Sequence, residues 1–146
     1  NAYAIEKQLY IIEKGDIFIL SAAHQSEYVG RHIKFLDVEP KINTSFVGEL
    51  LCLRAEKSKI LPELLFSILN TEFFKILINR EKTGQTSHIY AKDIQNLHIP
   101  ILPPEKQQEI VTHIQNLRNQ AKQLEQDAEQ ILADAKREIE RMILGD

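Results

Sequence analysis

At 146 residues, 43% hydrophobic and 27% charged, the chain has the make-up of one globular domain with an appendage, which excludes the disordered and fibrous classes. The net charge of -3 demands no nucleic acid, but it is unevenly placed: residues 1–102 hold 12 basic and 12 acidic groups, residues 103–146 hold 6 and 9, so a locally basic face stays open. No apolar run approaches the roughly 18–20 residues of a membrane span, and the N-terminus lacks the basic start and apolar core of a signal peptide. The chain begins without Met; Asn1-Ala2 reads as the remnant of a cleaved tag, and a fragment of a longer protein is expected. The single cysteine, Cys52, lies in the apolar run "ELLCLR" and reads as a core residue rather than a reactive thiol. A cytoplasmic location is the expectation.

The first third is strand-rich. "GDIFILS" (15–21) opens on a turn and runs through four apolar residues, a short β pattern. "VGRHIKFLDV" (29–38) alternates, with Arg31, Ile33 and Phe35 on one side and His32, Lys34 and Leu36 on the other. "SFVGELLCL" (45–53) is a third strand, with Gly48 read as a bulge. Residues 62–79 are helical: Pro62 suits the first turn, Glu63 favours its positive end, and apolar residues recur at helical spacing, with a possible division at Asn70-Thr71. A polar loop with Gly84 as its turn residue follows, and then "LHIPI" (97–101) as a short strand.

Pro103 cannot donate to a ladder and Pro104 suits the first position of a helix. From Glu105 to about Leu144 there is no Pro or Gly; such a helix would extend roughly 60 Å. Its apolar residues alternate at spacings of three and four: Ile110, Leu117, Leu124 and Ile131 at one heptad position, Ile114, Ala121, Ala128 and Ala135 at the other, with Met142 beyond the interrupting Glu138. Such a seam needs cover, by a partner helix of this chain, of a second copy or of another protein, or by folding back over its own domain; a paired helix is the preferred reading, and the alanines allow close approach. The expected class is therefore α+β: a small mixed or antiparallel sheet with helices, followed by a long projecting C-terminal coiled-coil helix, divided as 3–102 and 103–146.

Catalytic signals are missing. The five glycines are scattered, without a phosphate loop, the five histidines are isolated, and no nucleophile elbow is present, so no cofactor and no metal are expected. Asp37, Glu39 and Lys41 have a spacing seen in metal-dependent nucleases, but Pro40 would interrupt the presenting strand, and a turn is the better reading. The loop "NREKTGQTSHIYAK" (79–92) is more informative. Arg80, Lys82 and Lys92 could meet phosphates, while Thr83, Gln85, Thr86, Ser87 and His88 carry short polar groups that could read base edges, and Tyr90 offers a planar face. On composition alone a solvated surface loop is the better reading.

The stretch "IYAKDIQNLHIPILPPEKQQEIV" (89–111) with the helix behind it resembles the end of a target recognition domain in the specificity subunit of type I restriction-modification enzymes, whose junction reads L-x-x-I-x-I-P-x-P-P-x-x-E/K-Q-x-x-I-V. "GDIFILS" resembles that family's G-D-I-L-x-S strand, and "LPELLFSILNTEFF" its helical segment; together the resemblance spans most of residues 9–144. It implies a non-catalytic, sequence-specific DNA-binding module that reads one half of a bipartite double-stranded target. The helix would pair with an antiparallel companion that spaces the two halves, or with a second copy in this fragment, giving a homodimer. Methylation and cleavage would belong to partner methyltransferase and endonuclease subunits. Against a whole subunit, one recognition domain, lacking its N-terminal portion, and one helix are expected here. The alternatives are the C-terminal recognition region of a fused N6-adenine DNA methyltransferase, or a coiled-coil scaffold that binds protein rather than DNA.

Overall fold

The computed structural model describes residues 11–41, 44–80, 88–95 and 97–145. The chain divides into two compact units, Asn1–Gln107 and Gln108–Asp146. The first holds a three-stranded antiparallel sheet in the order β2-β1-β3, with β1 Ile17–Leu20, β2 Ile33–Phe35 and β3 Leu50–Leu53. It has the expected α+β class. The central strand shows the two-residue period of a half-buried strand: Ile17 and Ile19 are fully buried, whereas Phe18 turns to the other face and meets Phe46 edge-on at 5.6 Å. Its register sets Ile17 opposite Phe35 and Leu53, and Ile19 opposite Ile33 and Leu51. Gly48 makes no bulge: it lies in the turn before β3, closed by the Leu50 N–H donating to the Val47 carbonyl at 3.2 Å. Residues 36–41, with Asp37, Glu39 and Lys41, form an irregular connection after β2.

Two helices cover the sheet-bearing unit. Helix α1 (Pro62–Leu69) buries Pro62, Leu64, Leu65 and Leu69, and its Phe66 stacks on Phe35 of β2 at 5.4 Å. Helix α2 (Glu72–Arg80) buries Phe74 and Ile78, one turn apart on one face. The break between them falls at Asn70-Thr71, and the side chains explain it. The Asn70 amide and the Thr71 hydroxyl donate to the Phe66 and Ile68 carbonyls that end α1, and the same hydroxyl accepts the Phe74 N–H that starts α2, at 3.4 Å.

A short helix α3 (Ala91–Gln95) replaces part of the expected polar loop, and residues 97–101 are not a strand. Leu97 and Ile99 still alternate with exposed His98 and Pro100, but the segment joins no ladder, and Pro100 has no N–H to contribute to one. Helix α4 (Pro104–Leu144) then runs unbroken for 41 residues. Gln107 of its first turn is 3% exposed. Its amide oxygen accepts the Leu61 N–H at 2.8 Å, and its amide nitrogen donates to the Lys59 and Leu102 carbonyls at 2.8 and 2.7 Å. Leu61 is the N-cap of α1 and offers no side-chain cap, so Gln107 satisfies backbone groups there that would otherwise be buried without a partner. No helix among the described residues is long and apolar enough to cross a membrane.

The head of β1 carries a buried charge. Gly15, at φ +98°, turns the chain so that Asp16 is fully buried. Arg54, just past β3, grips its carboxylate with Nε and Nη2 at 2.7 and 2.8 Å, and the Glu13 N–H adds a third bond at 2.8 Å. Arg54 also donates to the Ile11 carbonyl at 2.9 Å and pairs with Glu13 at 2.9 Å. Burial alone would raise the Asp16 pKa; the hydrogen bonds from Arg54 and Glu13 and the Arg54 charge outweigh it and hold the group below its ordinary 3.8. Cys52, half-buried on β3, lies against the same carboxylate, and burial together with that negative charge pushes its thiol up to about 12.

Because the folded pKa of Asp16 is depressed, its stabilisation is present above the unfolded value of 3.8 and is lost as pH falls through the folded pKa. Asp16→Asn should cost about 2–3 kcal/mol at neutral pH, less than a fully enclosed pair because Arg54 reaches water. Urea melts of both proteins should show that gap narrowing at a pH well below 3.8; a gap independent of pH would contradict the assignment.

Candidate nucleic-acid interface

The polar loop expected to meet DNA enters from α2 and leaves into α3. Lys82, Thr83, Gln85, Thr86 and Ser87 lie outside the described residues; Arg80, His88 and Lys92 lie within them. Arg80 is exposed in the last turn of α2, where a cation suits the negative helix end. His88 forms an isolated antiparallel bridge with Ala22, and the next N–H, that of Ile89, donates to the Ser21 carbonyl at 3.0 Å. The exit segment therefore alternates: Ile89 is 2% exposed and faces the core, while His88 and Tyr90 flank it and stack with ring centroids 6.2 Å apart. The Asp93 carboxylate accepts the Tyr90 N–H at 2.8 Å, a cap that starts α3 and brings Lys92 Nζ to 5.6 Å from the centre of the half-exposed Tyr90 ring. The structure thus gathers His88, Tyr90 and Lys92 into one cluster at the loop's exit and sets Arg80 at its entrance.

One glycine positions both ends. Gly30, at φ +74°, presents its bare α-carbon to the core, and a Cβ built there would stand 2.6 Å from Ile78 Cγ2 and 2.6 Å from Ile89 Cδ1. Ile78 sits two residues before the loop's entrance at Arg80, and Ile89 one residue after His88. The two stems converge on a point where no side chain fits. Composition singled out the polar residues of the loop but not Ile78, Ile89 or Gly30, which carry no chemistry and reveal their role only when long-range packing brings them together.

The second candidate surface is the seam of α4. Ile110, Ile114, Leu117, Ala121, Leu124, Ala128, Ile131 and Ala135 all fall on one unbroken helix, with Leu117, Leu124 and Ile131 51%, 69% and 67% exposed. The heptad reading missed Leu132, Ile139 and Ile143, which are 71%, 55% and 76% exposed. Stepping from Ala128 to Leu132, Ala135, Ile139 and Met142 keeps spacings of four and three and bypasses Glu138. The apolar line therefore continues through a four-residue stutter rather than stopping.

Residues 2–133 match the family described as "Type I restriction modification DNA specificity domain". No curated protein matches the chain. Among solved structures, the chain is similar to the crystal structure of the HsdS subunit from Thermoanaerobacter tengcongensis, at 19% identity and a TM-score of 0.60, over 78% of this chain and 28% of that one. It is also similar to a chain from work on complex assembly and conformational transition of the type I R-M system, at 19% identity and a TM-score of 0.59, over 90% and 32%. The chain thus spans less than a third of the length of either, and at this identity the likeness is one of fold.

Gly30→Ala should destabilise the first unit by about 2–4 kcal/mol, combining left-handed backbone strain with overpacking against Ile78 and Ile89. Gly48→Ala, with nothing within 4 Å of its Cβ, should be nearly neutral. Denaturant melts of the pair check this, and equal effects would remove the clamp from Gly30.

Proposed function

The chain belongs to the type I restriction modification DNA specificity domain family, and we propose that it reads one half of a bipartite double-stranded DNA target without catalysing a reaction itself. In this reading residues 3–102 form part of a target recognition domain and residues 103–146 a spacer helix. Methyltransferase and endonuclease subunits supply the chemistry and are positioned through that helix. The observation that carries the reading is the double clamp at Gly30: a loop rich in cationic and amide or hydroxyl groups has both stems pinned to a packed core. Recognition of base edges requires such placement, because a bidentate contact tolerates little positional error.

Arg80, Lys82 and Lys92 then serve as phosphate contacts, and Thr83, Gln85, Thr86, Ser87 and His88 as candidates for base edges. Along α4 the seam pairs with an antiparallel companion helix. In this chain the companion is the same helix of a second copy, related by a two-fold axis that sets the two recognition units at opposite ends.

In the complex with the partner subunits, Lys82→Ala should weaken binding to all sequences alike and lower the salt slope by about one, whereas Gln85→Ala should change preference at one position by about 1–3 kcal/mol. Titrations of cognate and altered duplexes at several salt concentrations measure both. Two variants that bind and discriminate like the parent would reduce the loop to plain surface.

Assembly gives a separate test. Wild-type chain should scatter light as a dimer at micromolar concentration, and Leu124→Asp as a monomer, because the pair would bury an unpaired carboxylate. A wild type that stays monomeric well above that concentration would refute self-pairing.

A further inference from the structure

Residues 25–32 form a turn that neither the loop at 80–92 nor the seam accounts for. The Tyr28 N–H donates to the Gln25 carbonyl at 3.2 Å, and the Tyr28 carbonyl accepts the Arg31 and His32 N–H groups at 3.1 Å each. The middle of the turn is fixed in the core: Val29 is fully buried, and Gly30 lies against Ile78 and Ile89. Its flanks face outward. Tyr28 is 39% exposed, with its ring 4.8 Å from that of His32, and Arg31 reaches Glu72, the first residue of α2, at 3.2 Å. The Ala22–His88 bridge and the bond from the Ile89 N–H to the Ser21 carbonyl tie the segment leading into this turn to the exit stem of the polar loop.

We propose that this turn is a second DNA-contacting element, in which Arg31 binds a backbone phosphate, the Tyr28–His32 pair packs its ring faces against sugar or base, and Glu72 occupies Arg31 until phosphate displaces it. The inference rests on the DNA-recognition reading and extends it to residues outside the polar loop. The energetics favour exchange. Both members of the Arg31–Glu72 pair are well exposed, at 48% and 70%, and an exposed pair of this kind holds weakly. A guanidinium meets phosphate through stronger charge-assisted bonds. Glu72 does not lose all compensation when Arg31 leaves, because Lys75 Nζ lies 3.6 Å from its other oxygen. The rings also suit the role: the Tyr28 face is partly open to solvent and rises from a backbone that cannot shift without disturbing Gly30.

The test is fluorescence anisotropy of the whole chain on a random-sequence 30-base-pair duplex, across a salt series, with thermal melts to confirm folding. Arg31→Ala should bind about fivefold more weakly and lower the salt slope by about one, while Arg31→Lys, which keeps the charge, should keep the slope. Tyr28→Ala should weaken binding without changing the slope. Glu72→Gln should bind several-fold more tightly, and that gain should shrink in the Arg31→Ala background. Folded Arg31→Ala protein that binds like wild type, or Glu72→Gln protein that binds more weakly, overturns the proposal and leaves the DNA-recognition reading standing. Wild-type chain with no salt-dependent DNA binding overturns both.

Discussion

A carboxylate with no access to water must be surrounded by donors or it will not remain charged, and Asp16 is such a group at the head of the central strand. Its demand organises the sheet. Arg54 can supply a two-pronged grip only if β3 pairs with β1 in the observed register, and the Glu13 N–H can reach it only if the chain reverses at Gly15. The second and third oxygen contacts therefore link the entry segment, the central strand and an edge strand at one point. The Gly-Asp step that opens "GDIFILS" thus has an architectural reason: the glycine makes the turn and the aspartate holds it.

Gln107 plays the corresponding part at the other motif, the one that follows the Pro-Pro pair. Its side chain is an acceptor and a double donor at once, and all of these functions are engaged by three backbone groups from two separate stretches, residues 59–61 and Leu102. Glutamate would present oxygen to two carbonyls, and leucine would leave three backbone groups without partners. Two of the stretches that carry the family resemblance, those of Asp16 and Gln107, thus act as framework.

Elements whose signals are local were legible in the sequence. The short apolar run of β1, the Asn70-Thr71 break and the Pro-free, Gly-free run of α4 each follow from neighbours in the chain, and each is present. "LHIPI" misled because alternation reports which side chains face inward, not whether a neighbouring strand exists to bond to. Helix α3 escaped notice because its start depends on a single carboxylate, Asp93, folding back onto Tyr90. The candidate site was marked in the sequence by composition only. Charge and amide content marked residues 79–92, but the features that fix its stems, Gly30 with Ile78 and Ile89, are separated by up to 59 residues and carry no polar signature. The stuttered continuation through Leu132 and Ile139 was hidden for a simpler reason, since a strict heptad template stops at Glu138.

Cys52 is the only thiol in the chain, and it is held against the one group most effective at keeping it protonated. With its pKa pushed up to about 12, the reactive thiolate at neutral pH is on the order of 10⁻⁵ of the total. The folded protein is thereby a nearly silent background for thiol-directed labels, so a cysteine placed on the outer face of α4 or on the turn at residue 28 would carry a fluorophore or spin probe alone. The same thiol becomes a clock when conditions change. Parting β3 from β1 would remove the burial and the Asp16 charge that hold the thiol protonated, so its alkylation should quicken as the sheet opens.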